Sequence, residues 1–178
     1  LCLVTIKVSA IEKVILFGDS LMAGYGLPKE QHLSVVLQNS LELEGYNIKI
    51  INGSVSGSTS AGGLNIAEWT LSENNIDLMI LCLGANDMLR GINPMETKNN
   101  LEEIIKIAKN KNINVIIAGM VAPTSYGFGY KKSFDKIFYD LSKKYKLQLI
   151  PFLLQGVAQK PEFNLSDGMH PNDQGTII

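Results

Sequence analysis

The chain has 178 residues, of which 46% are hydrophobic and 19% charged. That is enough apolar material for one packed core, and it excludes a disordered chain. A formal net charge of −1, with lysines and arginines scattered, excludes a basic nucleic-acid-binding surface.

Residues 1–10 are mostly apolar, interrupted by Lys7, and end in Val8-Ser9-Ala10. This small-x-small ending reads as the tail of a partial secretory signal peptide. It places the folded domain at residues 11–178 and predicts a periplasmic or secreted protein; an ordinary extension of a cytoplasmic domain is the alternative. No run of about 20 apolar residues suits a membrane span.

Short apolar runs then alternate with helix-period segments. Strands are predicted over 13–17, 46–51, 76–83, 113–118 and 147–150. They show little alternation, as expected of strands covered on both faces. Leu33, Val36, Leu37 and Leu41 mark one amphipathic helix, and Gly45 sits where its left-handed cap belongs. A shorter helix is expected over 64–71. Leu101, Ile104, Ile105 and Ala108 mark the next long helix, and Phe134, Ile137, Phe138 and Leu141 the last. The order β-α-β-α-β-α-β-α-β implies an α/β domain of three layers, α/β/α, around a five-stranded parallel sheet. Ligands of such sheets bind beyond the carboxyl ends of the strands.

The loops at those ends carry the candidate chemistry. Gly18-Asp19-Ser20-Leu21-Met22-Ala23-Gly24-Tyr25-Gly26 follows strand one, Asn52-Gly53-Ser54-Val55-Ser56-Gly57-Ser58 strand two, and Gly84-Ala85-Asn86-Asp87 strand three. Asp167-Gly168-Met169-His170 lies beyond strand five. A serine hydroxyl needs a base within hydrogen-bond reach. Of the two histidines, His32 begins a helix and is expected to face solvent, whereas His170 follows Asp167 by three residues, close enough for the acid to hold the imidazole tautomer. Ser166-Asp167-Gly168 is also turn chemistry. Donors for an oxyanion are available in the Ser20 and Gly53 amides and the Asn86 side chain. Cys82 lies in the apolar run of strand three and reads as a buried, inert thiol. With Cys2 the only other cysteine, neither a zinc site nor a disulfide framework is indicated.

Those four blocks, in this order and after these strands, resemble the SGNH hydrolases, also called the GDSL family. The resemblance runs from about Val14 to the end of the chain. Leu89-Arg90-Gly91, Tyr126-Gly127 and Pro151-Phe152-Leu153-Leu154 bring it nearest the periplasmic bacterial thioesterase/lysophospholipase/arylesterase subgroup. It implies a flavodoxin-like sheet and a serine hydrolase of ester or thioester bonds. Ser20 would be the nucleophile, His170 the general base and Asp167 its orienting acid. Ser20 N–H, Gly53 N–H and the Asn86 amide would form the oxyanion hole. Asp19 and Asp87 would be structural, bonding loop backbone groups. No metal or organic cofactor is needed; the expected partners are small acyl ester or thioester substrates, with no nucleic acid, and the expected state is a monomer. The family's last helix would begin near Gly175-Thr176-Ile177-Ile178, so the C-terminal helix is expected to be truncated.

Leu21, Met22, Leu27, Met88, Leu89 and Met169 predict an apolar lining suited to an acyl chain. The alternative with the same machinery is a carbohydrate O-acetylesterase. A non-catalytic phosphate- or flavin-binding module is a third reading, prompted by the Gly- and Ser-rich stretch from Gly53 to Gly63. That stretch lacks G-x-x-x-x-G-K-[ST] and carries no basic residue. A pseudoenzyme is a fourth.

Overall fold

The structure is a computed structural model and describes residues 11–72 and 75–178. The expected signal segment and Cys2 lie outside the described residues. Strands β1 (Lys13–Gly18), β2 (Lys49–Asn52), β3 (Leu78–Cys82), β4 (Asn114–Ala118) and β5 (Gln148–Ile150) form one parallel sheet in the order β2-β1-β3-β4-β5. The helices are α1 (Ser20–Ala23), α2 (Leu33–Leu43), α3 (Ser60–Thr70), α4 (Ala85–Leu89), α5 (Pro94–Asn110), α6 (Phe128–Tyr145) and α7 (Asp173–Ile177). The chain adopts the three-layer α/β/α arrangement. Among the described residues no helix is long and apolar enough to cross a membrane.

Right-handed crossovers put α3, α5 and α6 on one face of this strand order and α2 on the other. The packing agrees: α3 and α6 both lie against α5, and α7 lies against α2. The interior strand β1 is buried from Val14 to Gly18, while edge strand β2 is only partly covered. The core between sheet and helices contains Leu101, Ile104, Phe134, Phe138 and Leu141, each at most 1% exposed. Each such side chain contributes about 1.5–3 kcal/mol of hydrophobic stabilisation.

Some boundaries moved for local reasons. β2 starts at Lys49, not at 46, because the chain leaving α2 first turns back: Tyr46 N–H donates to the Leu41 carbonyl at 2.9 Å, and Gly45 takes φ 84°. α3 starts at Ser60, four residues before the predicted start, because Thr59 caps it: its Oγ1 accepts the Gly62 N–H at 3.2 Å. Helices α1 and α4, of four and five residues, are too short for a periodic pattern to reveal.

From β1 the chain leaves in one direction to β2, and β3 lies on the opposite side of β1. The crevice beyond the ends of β1 and β3 is therefore the topological switch point, where ligands of open parallel sheets bind. Ser20 follows β1 and Asn86 follows β3, so both stand at that crevice.

Candidate active site

Ser20, the candidate nucleophile, is presented by the first turn after β1. Asp19 is the cap residue of α1, its Oδ1 accepting the Leu21 N–H at 3.1 Å. This fixes Ser20 as the first residue of a helical turn at the strand end. His170, the candidate base, is presented by a closed loop between Asn164 and Pro171, which pair as an isolated antiparallel bridge. Leu165 N–H donates to the His170 carbonyl at 2.8 Å, and the buried Asn164 side chain donates to the carbonyls of Val157 and Lys160 at 2.8 and 2.7 Å. Asn172 pins the loop's exit by capping α7 through Gly175 N–H at 2.9 Å.

The two loops meet. His170 Nε2 lies 2.8 Å from Ser20 Oγ, and His170 Nδ1 lies 2.7 Å from Asp167 Oδ2. The other Asp167 oxygen accepts the backbone N–H groups of Met169 and His170 at 2.8 and 3.0 Å. One carboxylate oxygen of Asp167 thus makes the turn contacts and the other faces the imidazole. Partial burial works against ionisation of Asp167, but these two backbone N–H groups and the imidazole outweigh it and hold its carboxyl down at about 2. An ionised carboxylate only accepts, so Nδ1 carries the proton. In the neutral ring Nε2 then has a free lone pair toward the Ser20 hydroxyl, as a general base requires.

Asn86 knits three loops together. Its Nδ2 donates to the Ser58 carbonyl at 3.1 Å and to Asp19 Oδ2 at 3.3 Å. Asp19 therefore bonds the Asn86 side chain as well as the loop backbone that was expected. Asp19 is 1% exposed, and burial raises its carboxyl from 3.8 to about 6. Asp87, fully buried, accepts from the Ser60 N–H at 2.7 Å, the Ser60 hydroxyl and the Thr97 hydroxyl at 3.2 Å. It locks α4, and with it Asn86, against the starts of α3 and α5.

Gly53 does not join this group. Its N–H donates to the Leu16 carbonyl at 2.9 Å, continuing the β1–β2 ladder, so the expected oxyanion role is corrected. A Cβ there would meet Ile15 Cδ1 at 2.7 Å and Thr70 Cγ2 at 2.9 Å, so packing explains the glycine. Further along the same loop the amides of Ser56 and Gly57 meet no acceptor among the described residues. Gly57 is held from both sides: its own carbonyl accepts Arg90 at 3.1 Å, and Asn86 grips the next carbonyl. An unspent amide in a block of several small residues was the signal available in the sequence, but choosing among them required the ladder register.

His32 is not solvent-facing. Its Nε2 lies 3.0 Å from the Leu27 carbonyl, and the ring packs on Gly24. The expected apolar lining divides: Met22 and Met88 are buried at 1% and 8% exposure, whereas Leu89 and Met169 are about half exposed. Leu21, Leu27 and Tyr25 line a small cleft beside Ser20 and His170. Cys82 is buried, and burial pushes its thiol well up, as an inert cysteine requires. Among the described residues no cluster of three or more potential metal ligands occurs.

Comparison with known proteins bears on this geometry directly. Residues 16–176 match the model of the GDSL-like lipase/acylhydrolase family. This chain belongs to that family. An arylesterase of Vibrio mimicus is 38% identical over 165 residues, spanning 93% of this chain and 82% of that protein. Thioesterase 1/protease 1/lysophospholipase L1 of Escherichia coli K12 is 31% identical over 172 residues, 97% of this chain and 81% of that protein. The crystal structure of TesA superposes with a TM-score of 0.88 at 33% identity, covering 93% of this chain and 92% of that one. As a GDSL-family hydrolase the chain is a serine esterase or thioesterase, and the carbohydrate and non-catalytic readings are not favoured.

Proposed function

We propose that Ser20, His170 and Asp167 act as a catalytic triad that hydrolyses acyl esters and thioesters through an acyl-enzyme on Ser20. The observation that carries the proposal is the continuous chain Ser20–His170–Asp167: a 2.8 Å contact joins Ser20 to His170 across 150 residues, and a 2.7 Å contact within the histidine loop joins His170 to Asp167. In the first step His170 Nε2 takes the Ser20 proton as Oγ attacks the substrate carbonyl. Asp167 stabilises the resulting imidazolium through Nδ1–H. The leaving alcohol or thiol takes the proton from Nε2. Water then attacks the acyl-enzyme with His170 again as base, and the released acid leaves Ser20 restored.

The oxyanion hole in this proposal is formed by the Ser20 N–H, the Gly57 N–H in place of Gly53, and Asn86. The hydrogen of Asn86 on the longer contact, toward Asp19, is the one that turns to the oxyanion; the shorter contact to Ser58 holds the amide in place. The substrate class is drawn from the relatives' aryl ester, thioester and lysophospholipid names. The half-exposed Leu89 and Met169 favour an apolar acyl group. We propose the protein to act as an exported monomer; the support for export is the apolar start ending in Val8-Ser9-Ala10.

Ser20→Ala is expected to abolish hydrolysis of short p-nitrophenyl esters and of acyl-CoA, and to prevent labelling by a fluorophosphonate, while the circular dichroism spectrum stays that of the parent. Hydrolysis at the parent rate in that variant would remove Ser20 from the reaction. A panel running from short aryl esters to long acyl-CoA and lysophospholipid ranks the substrates. Fractionation of a cell expressing the chain with its natural start tests export, and cytoplasmic retention would overturn it.

A further inference from the structure

The Tyr25 ring lies on the imidazole of His170, with ring centroids 4.6 Å apart and an interplanar angle of 40°. The backbone is built to put it there. Tyr25 sits between Gly24 and Gly26, both left-handed at φ 83° and 75°, which fold the chain tightly back after α1. Each glycine is clamped: a Cβ at Gly24 would fall 2.3 Å from the His32 ring, and one at Gly26 would fall 2.6 Å from Leu165 Cδ1. Leu165 belongs to the loop that carries His170. The tyrosine turn and the histidine loop are therefore packed together at two points, ring on ring and leucine on glycine. Tyr25 is nevertheless 53% exposed, so its ring is not held there as core filling.

We propose that Tyr25 is a positioning residue for His170, its ring favouring the imidazolium that forms each time Nε2 takes the Ser20 proton. The physical basis is attraction of a cation by the negative face of an aromatic ring. The ring acts in both halves of the cycle, since His170 is protonated in each. The charged groups facing the imidazole are Asp167 on its own loop and Asp19 behind Ser20. Neither is altered by substitution at Tyr25, so a change in the pH profile of a Tyr25 variant reports the ring. The inference rests on the triad reading above.

The test compares Tyr25→Phe, which keeps the ring, with Tyr25→Leu, which keeps apolar cover without it. Plateau kcat of Tyr25→Leu should fall about two- to fivefold with KM little changed. Its acid limb of kcat/KM should move to lower pH by about half a unit, because the imidazolium is less favoured. Tyr25→Phe should match the parent in both. An unmoved acid limb in Tyr25→Leu overturns the proposal. So does an equal shift in Tyr25→Phe, which would assign the effect to the hydroxyl, or a change confined to KM, which would make the ring a substrate contact. The position of the limb does not depend on the amount of active protein, and Tyr25→Met gives the same reading if the leucine variant folds poorly. If the parent hydrolyses no ester, the triad reading fails; if it hydrolyses esters and the limb stays put, only the role of Tyr25 fails.

Discussion

Asp19→Asn isolates a buried carboxylate whose ionisation opposes folding. The group is 1% exposed; burial raises it, against the bonds from Leu21 N–H and Asn86 and the attraction of His170, from 3.8 to about 6. Below about pH 4 it is protonated in both the folded and unfolded chain. Between about 4 and 6 the folded state keeps a proton that the unfolded state has lost, so stability falls as pH rises through this window. Above it the deficit is constant, at about 3 kcal/mol for a rise of about two units. Asparagine is neutral throughout. It gives up the acceptor at Oδ2 for Asn86, a cost of about 1 kcal/mol that does not vary with pH. The stability of Asp19→Asn minus that of the parent should therefore climb by about 3 kcal/mol in all, about 2 kcal/mol of it from pH 4 to pH 6, and level off between pH 7 and pH 8. Urea unfolding at half-unit intervals, extrapolated to water, measures it. A flat difference would mean that the carboxylate is solvated at no cost; a falling one would mean that its ionised form is stabilised, and either would refute the reasoning.

Two further substitutions test the supports of the site. Asp87→Ala leaves the Ser60 N–H, the Ser60 hydroxyl and the Thr97 hydroxyl without their buried acceptor, and should destabilise by roughly 3 kcal/mol or more at about 1 kcal/mol or above for each; a thermal midpoint within a degree of the parent would contradict this. Asp167→Asn keeps the shape of the loop but presents a neutral partner to Nδ1. It should lower kcat on the order of 10²–10⁴-fold with the fold intact. Because Asp167 stays ionised down to about pH 2, the parent's acid limb should show no contribution from it above pH 4, which a profile extended to low pH checks.

Most of this fold was legible because its strands are of the kind that reads plainly. β1 and β3 are apolar on both faces, and each ends at a glycine-led loop that carries polar residues. The helices α5 and α6 span several turns, enough for their buried stripes to show as a period. The misread boundaries lie where a single hydrogen bond decides, as at Thr59 before α3 and Tyr46 after α2. The short helices α1 and α4 contain fewer than two turns each, and capping by Asp19 or burial of Asp87, not periodicity, makes them.

The candidate site divides along the same physical line. The roles proposed for Ser20, Asp167 and His170 are roles of side chains, and a side chain is announced by its residue type. An oxyanion amide acts through a backbone group that every residue but proline carries, so residue type says only where such an amide is permitted, not where one is unspent. Gly53 stands nearest the end of β2 and its small size suits a donor, yet the ladder that begins with Lys13 beside Lys49 runs one step past Asn52 and takes its N–H for Leu16. Two amides are left over, at Ser56 and Gly57, and Gly57, four residues on, directly precedes the carbonyl that Asn86 holds. The Tyr25 contact escaped for a related reason: its partner is 145 positions away, and the two glycines beside it carry information about backbone direction, not about what the ring will meet. In this family-sized sheet, then, the identity of the nucleophile is a local property of one strand end, while the groups that stabilise charge around it are set by the register and closure of the whole sheet.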